Sequence, residues 1–260
     1  MPHEAFLPGA EAPLIEPAEV EDWILEESDD LIVLNKPGWV VCHPSKNGPF
    51  SSLVGAVREL RGLERIHLVS RLDRETSGLV VLARNHRTAS RLQTAFAKRR
   101  TRKRYLALLR GHLAEERSCE SNLEPDPGSP VHVQQRVSFG GRGKAAVTHF
   151  RPLEHWGDCT LAEVVPETGR KHQIRVHAAW LGHPVAGDKI YGGDPEAYLA
   201  FIDHGWTPQL RQRLRFPRQA LHAERLEIGT DDGWLRFAAP CPFTEEGLQA
   251  IAENGPDLPA

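Results

Sequence analysis

Strand-like and helix-like patterns follow one another along this chain without a regular alternation. Short apolar runs predict strands within 22–42, at 79–83, 105–109, 147–152 and 159–165, and later at 221–228 and 234–238. Helical spacing predicts helices in SSLVGAVRELRG, HRTASRLQTAFAKR and ETGRKHQIRVHAAWLGHP, and a short final helix follows the last strand. A doubly wound parallel sheet needs a repeating strand–helix unit, and none is present. We therefore predict an α+β fold.

Charge divides the chain near its N-terminal end. The first 30 residues contain ten Asp or Glu and no Lys or Arg, whereas residues 31–260 contain 32 basic and 25 acidic residues, a formal net charge of +7. We therefore expect residues 1–21 to form a flexible acidic leader and residues 22–260 to form the folded body. Within that body, residues 112–146 combine Gly, Pro, Ser and charge with only short strand signals, so we expect a surface excursion there.

Positive charge is concentrated in one segment of the body. Residues 84–110 hold ten Lys or Arg and no Asp or Glu, and we call this segment the basic belt. Such a concentration favours a polyanionic partner, although a solvated helix face would have a similar composition. The belt alone leaves both interpretations open.

Composition and motifs exclude several classes of protein. The chain is 40% hydrophobic and 26% charged, with no apolar run long enough to cross a membrane and no secretion signal pattern. Four widely separated cysteines, Cys42, Cys119, Cys159 and Cys241, argue against a disulfide framework and a zinc site. The sequence contains no phosphate-binding or dinucleotide-binding glycine motif. We expect a cytoplasmic protein without membrane contact and without a metal.

The stretch RLDRETSGLVVL, residues 71–82, places a carboxylate at the start of a buried strand. Asp73 lies between Arg71 and Arg74, and nearby positive charge keeps an Asp ionised at neutral pH. An ionised carboxylate in a cleft can act as a nucleophile, a base or an electrostatic stabiliser. For RLDR taken alone, a structural salt bridge at a strand–turn junction is the commoner explanation.

Two further stretches place polar side chains beside apolar ones. On a helix over ETGRKHQIRVH, Lys171 and Arg175 would share one face at a four-residue spacing. The apolar stripe of that helix would comprise Ile174, Ala178 and Leu181. Tyr105 lies where the basic belt becomes a strand, a position that a half-buried packing tyrosine also explains. His172 and His177 lie five positions apart, off a shared helical face, so metal binding there is not expected.

Five stretches of this chain resemble, in order, the RluA-type pseudouridine synthases. They are LNKPGWVVCHP, RLDRETSGLVVLARN, RKRYLALLRG, GRKHQIRVHAAWLGHPVAGDKIYG and LHAERLEI. The resemblance covers roughly residues 30–240, and the blocks RLD..TSG and GR.HQIRVH are specific to it. One departure is Ser70, because the family pattern more often has His there. We expect the catalytic domain without the N-terminal RNA-binding module that many relatives carry, so this domain must supply its own RNA contacts.

The resemblance implies a fold and a reaction. The fold is a mixed, largely antiparallel β-sheet flanked by helices, with a central basic cleft, formed by a catalytic domain over 22–260. The reaction breaks the bond between ribose and uracil, rotates the base and rejoins it through carbon five. Such an isomerase needs no cofactor, because its substrate is both leaving group and acceptor. The expected partner is ribosomal or transfer RNA, and the expected state is a monomer.

The resemblance also implies roles for single residues. Asp73 corresponds to the essential carboxylate, which either attacks the sugar or assists loss of uracil. Tyr105 corresponds to a ring stacked on the target base, and Arg175 to an arginine that pairs with the aspartate. Arg71 corresponds to the residue that fills the gap left by the extruded uridine. Further expected RNA contacts are Arg74, Lys98, Arg99, Arg100, Lys103, Arg170 and Lys171.

Two other classes of protein share parts of this pattern. A non-catalytic RNA-binding protein would need the basic belt but not Asp73. A carboxylate-dependent nucleoside or glycoside hydrolase would use a second catalytic Asp or Glu, and RLDR offers none close by.

Overall fold

The computed structural model describes residues 14–43 and 48–243. These residues fall into two compact units. The N-terminal unit comprises the described residues of 12–103 together with 222–241, and the central unit comprises 104–221 with 242–243. Asp73 belongs to the N-terminal unit, whereas Tyr105 and Arg175 belong to the central unit.

The described residues contain six α-helices and eleven strands. The helices are α1 (Pro17–Trp23), α2 (Leu53–Leu60), α3 (His86–Ala97), α4 (Gln173–Trp180), α5 (Glu196–His204) and α6 (Pro208–Leu214). The first strands are β1 (Ile24–Glu27), β2 (Leu31–Lys36), β3 (His67–Leu68), β4 (Ser77–Ala83), β5 (Thr101–Arg110) and β6 (Arg117–Pro125). The others are β7 (Gln135–Ser138), β8 (Lys144–Trp156), β9 (Cys159–Pro166), β10 (Leu221–Thr230) and β11 (Gly233–Ala238).

The N-terminal unit is built around strand β4, which is buried along its whole length. Strand β2 pairs with β4 in antiparallel orientation, and β1 extends the sheet beyond β2. On its other side β4 pairs in parallel with β10, through His222 opposite Ser77 and Ala223 opposite Gly78. Strand β11 forms an antiparallel hairpin with β10. Apolar residues of β2 and β4 pack against α1 and α2 to form the core.

The central unit contains an antiparallel sheet in the strand order β5-β9-β8-β6-β7. The expected surface excursion over 112–146 is therefore wrong, because this segment supplies β6, β7 and the start of β8. Only Cys119 and Leu123 of strand β6 are buried. Its mostly polar sequence therefore lacks the alternation of apolar and polar residues that predicts a strand. The mixed, largely antiparallel sheet predicted from the sequence is confirmed.

The helices predicted in SSLVGAVRELRG and HRTASRLQTAFAKR both form, and the first begins at the expected serine. Helix α2 begins after Ser52, whose side chain accepts a hydrogen bond from Gly55 N, and α3 begins after Asn85, which accepts one from Thr88 N. Helix α4 begins later than its sequence pattern suggests, because His172 has a left-handed backbone with φ 54°. Lys171 therefore lies outside the helix, and the prediction that it shares a helical face with Arg175 is wrong.

The described part of the acidic leader is ordered and packed. Glu16 and Glu19 form a reciprocal capping box at the start of α1, and the helix buries Val20 and Trp23 in the core of the N-terminal unit. Residues 1–13 and the expected final helix lie outside the described residues. None of the helices within 14–43 and 48–243 is long and apolar enough to span a membrane.

Candidate active site

Asp73 lies in the loop between β3 and β4, at the entrance to the buried strand. Its side chain is half-buried, and its backbone carbonyl accepts a hydrogen bond from Thr76 N at 3.2 Å, which closes a tight turn. The two flanking arginines differ. Arg71 is exposed, whereas Arg74 is half-buried with its guanidinium carbon 5.3 Å from the centre of the Trp39 ring.

A buried ammonium group holds the Asp73 loop from the side of β2. Lys36 is fully buried, and its Nζ donates hydrogen bonds to the carbonyls of Pro37 at 2.7 Å and Arg74 at 3.2 Å. A buried charge is tolerated only when its donors are satisfied, so these carbonyls are fixed in place. The thiol of Cys42 also donates to the Leu72 carbonyl at 3.5 Å, and burial raises the pKa of this thiol.

The other end of the loop is held by β10. Ser77 Oγ lies 3.0 Å from His222 Nδ1, and both side chains are buried. At position 78 the backbone has φ 107°, and a Cβ would lie 2.3 Å from the Ala223 carbonyl oxygen. Only glycine fits this close approach of two strands, which explains the last residue of the TSG turn.

Ser70, the departure from the family pattern, has a structural task. Its Oγ accepts a hydrogen bond from Val81 N at 3.1 Å, while Val69 N donates to the Val81 carbonyl at 2.9 Å. The hydroxyl therefore satisfies a donor of β4 just before the loop begins.

Tyr105 occupies β5 of the central unit, opposite Val164 of β9. The ring is half-buried and packs against the apolar core of that unit. Beside it, Arg104 donates to Glu163 at 3.0 Å.

Arg175 is buried in the central unit and binds Asp188 through two parallel hydrogen bonds. Its Nε lies 2.6 Å from Asp188 Oδ2, and its Nη2 lies 2.9 Å from Oδ1. Burial raises the pKa of the Asp188 carboxyl, but the charge of Arg175 and hydrogen bonds from Arg175, Tyr191 N and Ile190 N outweigh burial and hold that pKa below its ordinary value. The pairing of Arg175 with Asp73 stays a prediction.

Asp188 is a residue that the sequence analysis missed. It is the lone carboxylate in the apolar stretch HPVAGDKIYG, and a charge inside such a stretch is a signal for a buried pair. The next residue, Lys189, was also missed. It is buried, donates to the Pro217 carbonyl and lies 4.5 Å from the centre of the Phe201 ring.

The block GR.HQIRVH is organised by the buried amide of Gln173. Its Oε1 accepts hydrogen bonds from Thr168 Oγ1 at 2.6 Å and Arg170 N at 3.0 Å, while its Nε2 donates to the Val147 carbonyl and to Thr148 Oγ1, each at 2.9 Å. Every donor and acceptor of the amide is used, so the turn before α4 is rigid. Arg170 also donates through Nε to the Ala145 carbonyl at 3.0 Å.

His177 on the same helix is fully buried between two hydroxyl groups. Its Nδ1 lies 2.9 Å from Thr148 Oγ1, and its Nε2 lies 3.0 Å from Ser121 Oγ. Burial lowers the pKa of this imidazole to about 4, so the ring is neutral at physiological pH.

Carboxylates from distant parts of the N-terminal unit partly neutralise the basic belt. Ion pairs join Arg84 to Glu27, Arg91 to Asp232, Arg100 to Asp231 and Arg102 to Glu227. Lys98 and Arg99 are exposed at the turn between α3 and β5. The belt is therefore a mixture of paired arginines and a short exposed basic turn.

The described residues contain no group of three or more His, Cys, Asp or Glu side chains placed to hold a metal ion. The prediction that the reaction needs no metal stays a prediction.

Comparisons with known proteins agree on one family. The family model described as RNA pseudouridylate synthase matches residues 30–180. The ribosomal large subunit pseudouridine synthase D of Xylella fastidiosa is 37% identical over 241 residues, which cover 91% of this chain and 70% of that protein. The protein of the same name from Escherichia coli K12 is 34% identical over 244 residues, which cover 91% and 71%.

Two solved human structures have the same fold. Human RNA Pseudouridylate Synthase Domain Containing 1 matches with a TM-score of 0.68 and 29% identity, covering 92% of this chain and 88% of that chain. Human RNA Pseudouridylate Synthase Domain Containing 4 matches with a TM-score of 0.68 and 26% identity, covering 87% and 91%.

Proposed function

We propose that this chain, which belongs to the RNA pseudouridylate synthase family and is therefore an RNA-modifying isomerase, acts on ribosomal RNA of the large subunit. The observation that carries this choice of substrate is the likeness, over nine-tenths of the chain, to enzymes named for the large ribosomal subunit. We further propose that it acts in the cytoplasm. We also propose that 22–260 forms the catalytic domain and that the enzyme works as a monomer.

Asp73 is the proposed catalytic carboxylate. Its loop is tethered on both sides of Asp73, by the Cys42 thiol at the Leu72 carbonyl before it and by the Lys36 ammonium at the Arg74 carbonyl after it. The Ser77–His222 hydrogen bond then holds the start of β4. A reacting group must be held close to its productive geometry, and a loop fixed in this way supplies that rigidity.

The proposed reaction is balanced without a cofactor. The bond between C1′ and N1 of the target uridine breaks, and a bond between C1′ and C5 forms. The proton on C5 leaves and N1 gains one, so atoms and charge are conserved and nothing is oxidised or reduced. Asp73 acts at the sugar, either by attack on C1′ or by assisting loss of uracil.

The target base must leave its stack before it can react, at a cost of roughly a few kcal/mol. Arg71 is exposed at the end of the Asp73 loop, and its planar guanidinium suits the proposed role of filling the vacated position. In this proposal the Tyr105 ring stacks on the target base and Arg175 pairs with Asp73, as the family resemblance implies. The remaining proposed RNA contacts are Arg74, Lys98, Arg99, Arg100, Lys103, Arg170 and Lys171.

Mapping of pseudouridine in total RNA, from cells with and without this gene, tests the proposed substrate. We expect one or more sites to disappear from large-subunit ribosomal RNA and to return with the wild-type gene but not with Asp73→Asn. Loss of sites from transfer RNA alone would contradict the proposed substrate. Release of free uracil in place of an isomer would contradict the proposed reaction.

A further inference from the structure

Two aromatic rings lie together at the surface of the central unit. Phe139 is 69% exposed and Trp180 is 56% exposed, and their ring centres lie 5.3 Å apart at an angle of 55°. No other Phe, Tyr or Trp in the described part of the chain is as exposed as either ring. Exposed aromatic surface in contact with water is unfavourable, so such a pair points to a binding partner.

The backbone fixes both rings. Phe139 opens the five-residue loop 139–143 that joins β7 to β8 across β6. Gly143 in this loop has φ 84°, and a Cβ there would lie 2.6 Å from the Leu123 carbonyl oxygen, so the loop runs directly against β6. Trp180 is the last residue of α4. Neither ring therefore depends on a long flexible segment for its position.

The loop that begins with Phe139 carries positive charge. Residues 127–153 contain no Asp or Glu, and the loop carries Arg142 with Lys144 directly after it. Arg142 makes only a long contact of 3.8 Å with Glu124 and keeps 74% of its side chain exposed. Lys144 is exposed as well. Positive charge beside exposed aromatic faces suits nucleic acid, whose bases stack and whose phosphates are anionic.

We propose that Phe139 and Trp180 stack one or two unpaired bases of the RNA substrate away from the reacting uridine, with Arg142 and Lys144 on the adjoining phosphates. This inference rests on the proposed action on structured RNA. Unpaired bases fit because their faces are free, whereas a duplex hides them. Two rings are also too small an apolar area for a stable protein interface, which buries over about 1,000 Å².

Helix α4 links this stacking platform (Phe139 and Trp180) to the proposed site. Arg175 and Trp180 lie five residues apart on the helix, or about 7.5 Å along its axis. RNA held at Trp180 is therefore bound to the same helix that carries Arg175, so the platform contributes affinity next to a residue of the proposed site.

The test compares leucine with aromatic replacements. Phe139→Leu and Trp180→Leu keep an apolar side chain but remove the stacking face, whereas Phe139→Tyr and Trp180→Phe keep a ring. Binding and single-turnover rates are measured on an unmodified transcript of large-subunit ribosomal RNA. We expect the leucine variants to weaken RNA binding about fivefold to a hundredfold, the aromatic variants to bind within about twofold of wild type, and the saturated rate to stay unchanged.

Controls separate stacking from other effects. Leu153→Ala, at an apolar residue of β8 that is 39% exposed, should leave binding unchanged. Arg142→Gln with Lys144→Gln should reduce the salt slope of binding by up to about two. Leucine variants that bind as wild type, or aromatic variants that lose as much affinity as leucine ones, would overturn the platform. If wild type modifies only a transfer RNA transcript, the proposed substrate fails, and the same comparison on that transcript still decides the platform.

Discussion

Ser77 Oγ and His222 Nδ1 lie 3.0 Å apart in the interior of the N-terminal unit, and this contact ties β4 to β10 at the point where the Asp73 loop ends. On its other side, His222 Nε2 lies 3.5 Å from the Ala239 carbonyl. Because Asp73, the proposed catalytic carboxylate, precedes Ser77 by four residues, we propose that His222 is a positioning residue for Asp73.

Ser77→Ala is expected to lower the rate of isomerisation while RNA affinity stays near wild type. The substitution leaves a buried nitrogen of His222 without its hydroxyl partner, at a cost of about 1–3 kcal/mol in the free energy of unfolding. Single-turnover kinetics and chemical denaturation measure the two effects. Ser118→Ala is the matched control, because it removes an exposed Ser–His contact of 2.7 Å to His149. A Ser77→Ala rate equal to that of Ser118→Ala would contradict the positioning role.

Asp73→Asn is expected to abolish pseudouridine formation without loss of folding or RNA affinity. The amide keeps the shape of the side chain but is neither a nucleophile nor a base. The measurement is tritium release from carbon five of uridine in single-turnover reactions. Residual turnover above about a hundredth of wild type would count against an essential carboxylate, since general acid–base help alone is worth about 10²–10⁴. Glu75→Gln, two residues away in the same turn, is the control and should stay active.

Arg175→Lys is expected to slow the chemical step while RNA binds normally, and Arg175→Ala is expected to be worse. Lysine keeps the charge but loses the planar pair of hydrogen bonds to Asp188. Alanine leaves the buried Asp188 carboxylate without its arginine partner, which lowers the free energy of unfolding by about 3–5 kcal/mol. Denaturation together with single-turnover rates distinguishes the two effects. A lysine variant with the wild-type rate would show that the planar geometry is not needed.

The stability of the enzyme is expected to fall as pH drops from about 6.5 to about 4, in part because of His177. Burial lowers the pKa of this imidazole to about 4, whereas in the unfolded chain it titrates near its ordinary value of 6.5. The unfolded state therefore binds more protons in this window, so stability is fully present above pH 6.5 and declines toward pH 4, by about 3 kcal/mol. Denaturation at several pH values, with His177→Gln as comparison, measures the loss. An identical pH dependence in the two proteins would refute this assignment.

Lys98→Gln with Arg99→Gln is expected to weaken RNA binding across sequences and to reduce its salt slope by up to about two. These residues form the exposed turn of the basic belt. Arg91→Gln serves as the control, because Arg91 is already paired with Asp232 at 2.9 Å. Salt titration of RNA affinity gives the slopes. A slope unchanged by the double substitution would make this turn an ordinary solvated surface.

The sequence predicted the family because the specific blocks carry it, and the resemblance to RluA-type pseudouridine synthases is confirmed. Strand β4 and helices α2 and α3 also formed as predicted, since their apolar spacing and caps are local signals. Strand β6 was missed because its neighbours in the sheet, not its own pattern, make it a strand.

The pairing of charges was harder to predict than their presence. Three of the belt arginines bind carboxylates more than a hundred positions away, as Arg100 does with Asp231. The role of Asp188 as the partner of a buried ion pair is likewise visible only in the folded protein, where Arg175 lies against it. A sequence shows which side chains carry charge, whereas tertiary packing decides which charges meet.

The parallel pairing of β4 with β10 has a consequence for the order of events during synthesis. Ser77 and His222 are separated by 145 positions, so a ribosome working at about 5–20 residues per second adds the second strand roughly 7–30 seconds after the first. Until then the loop that carries Asp73 lacks the neighbour against which Gly78 packs. Final packing of the loop that carries Asp73 is thus coupled to synthesis of β10, and we expect the isomerase to become active only after that strand has been made.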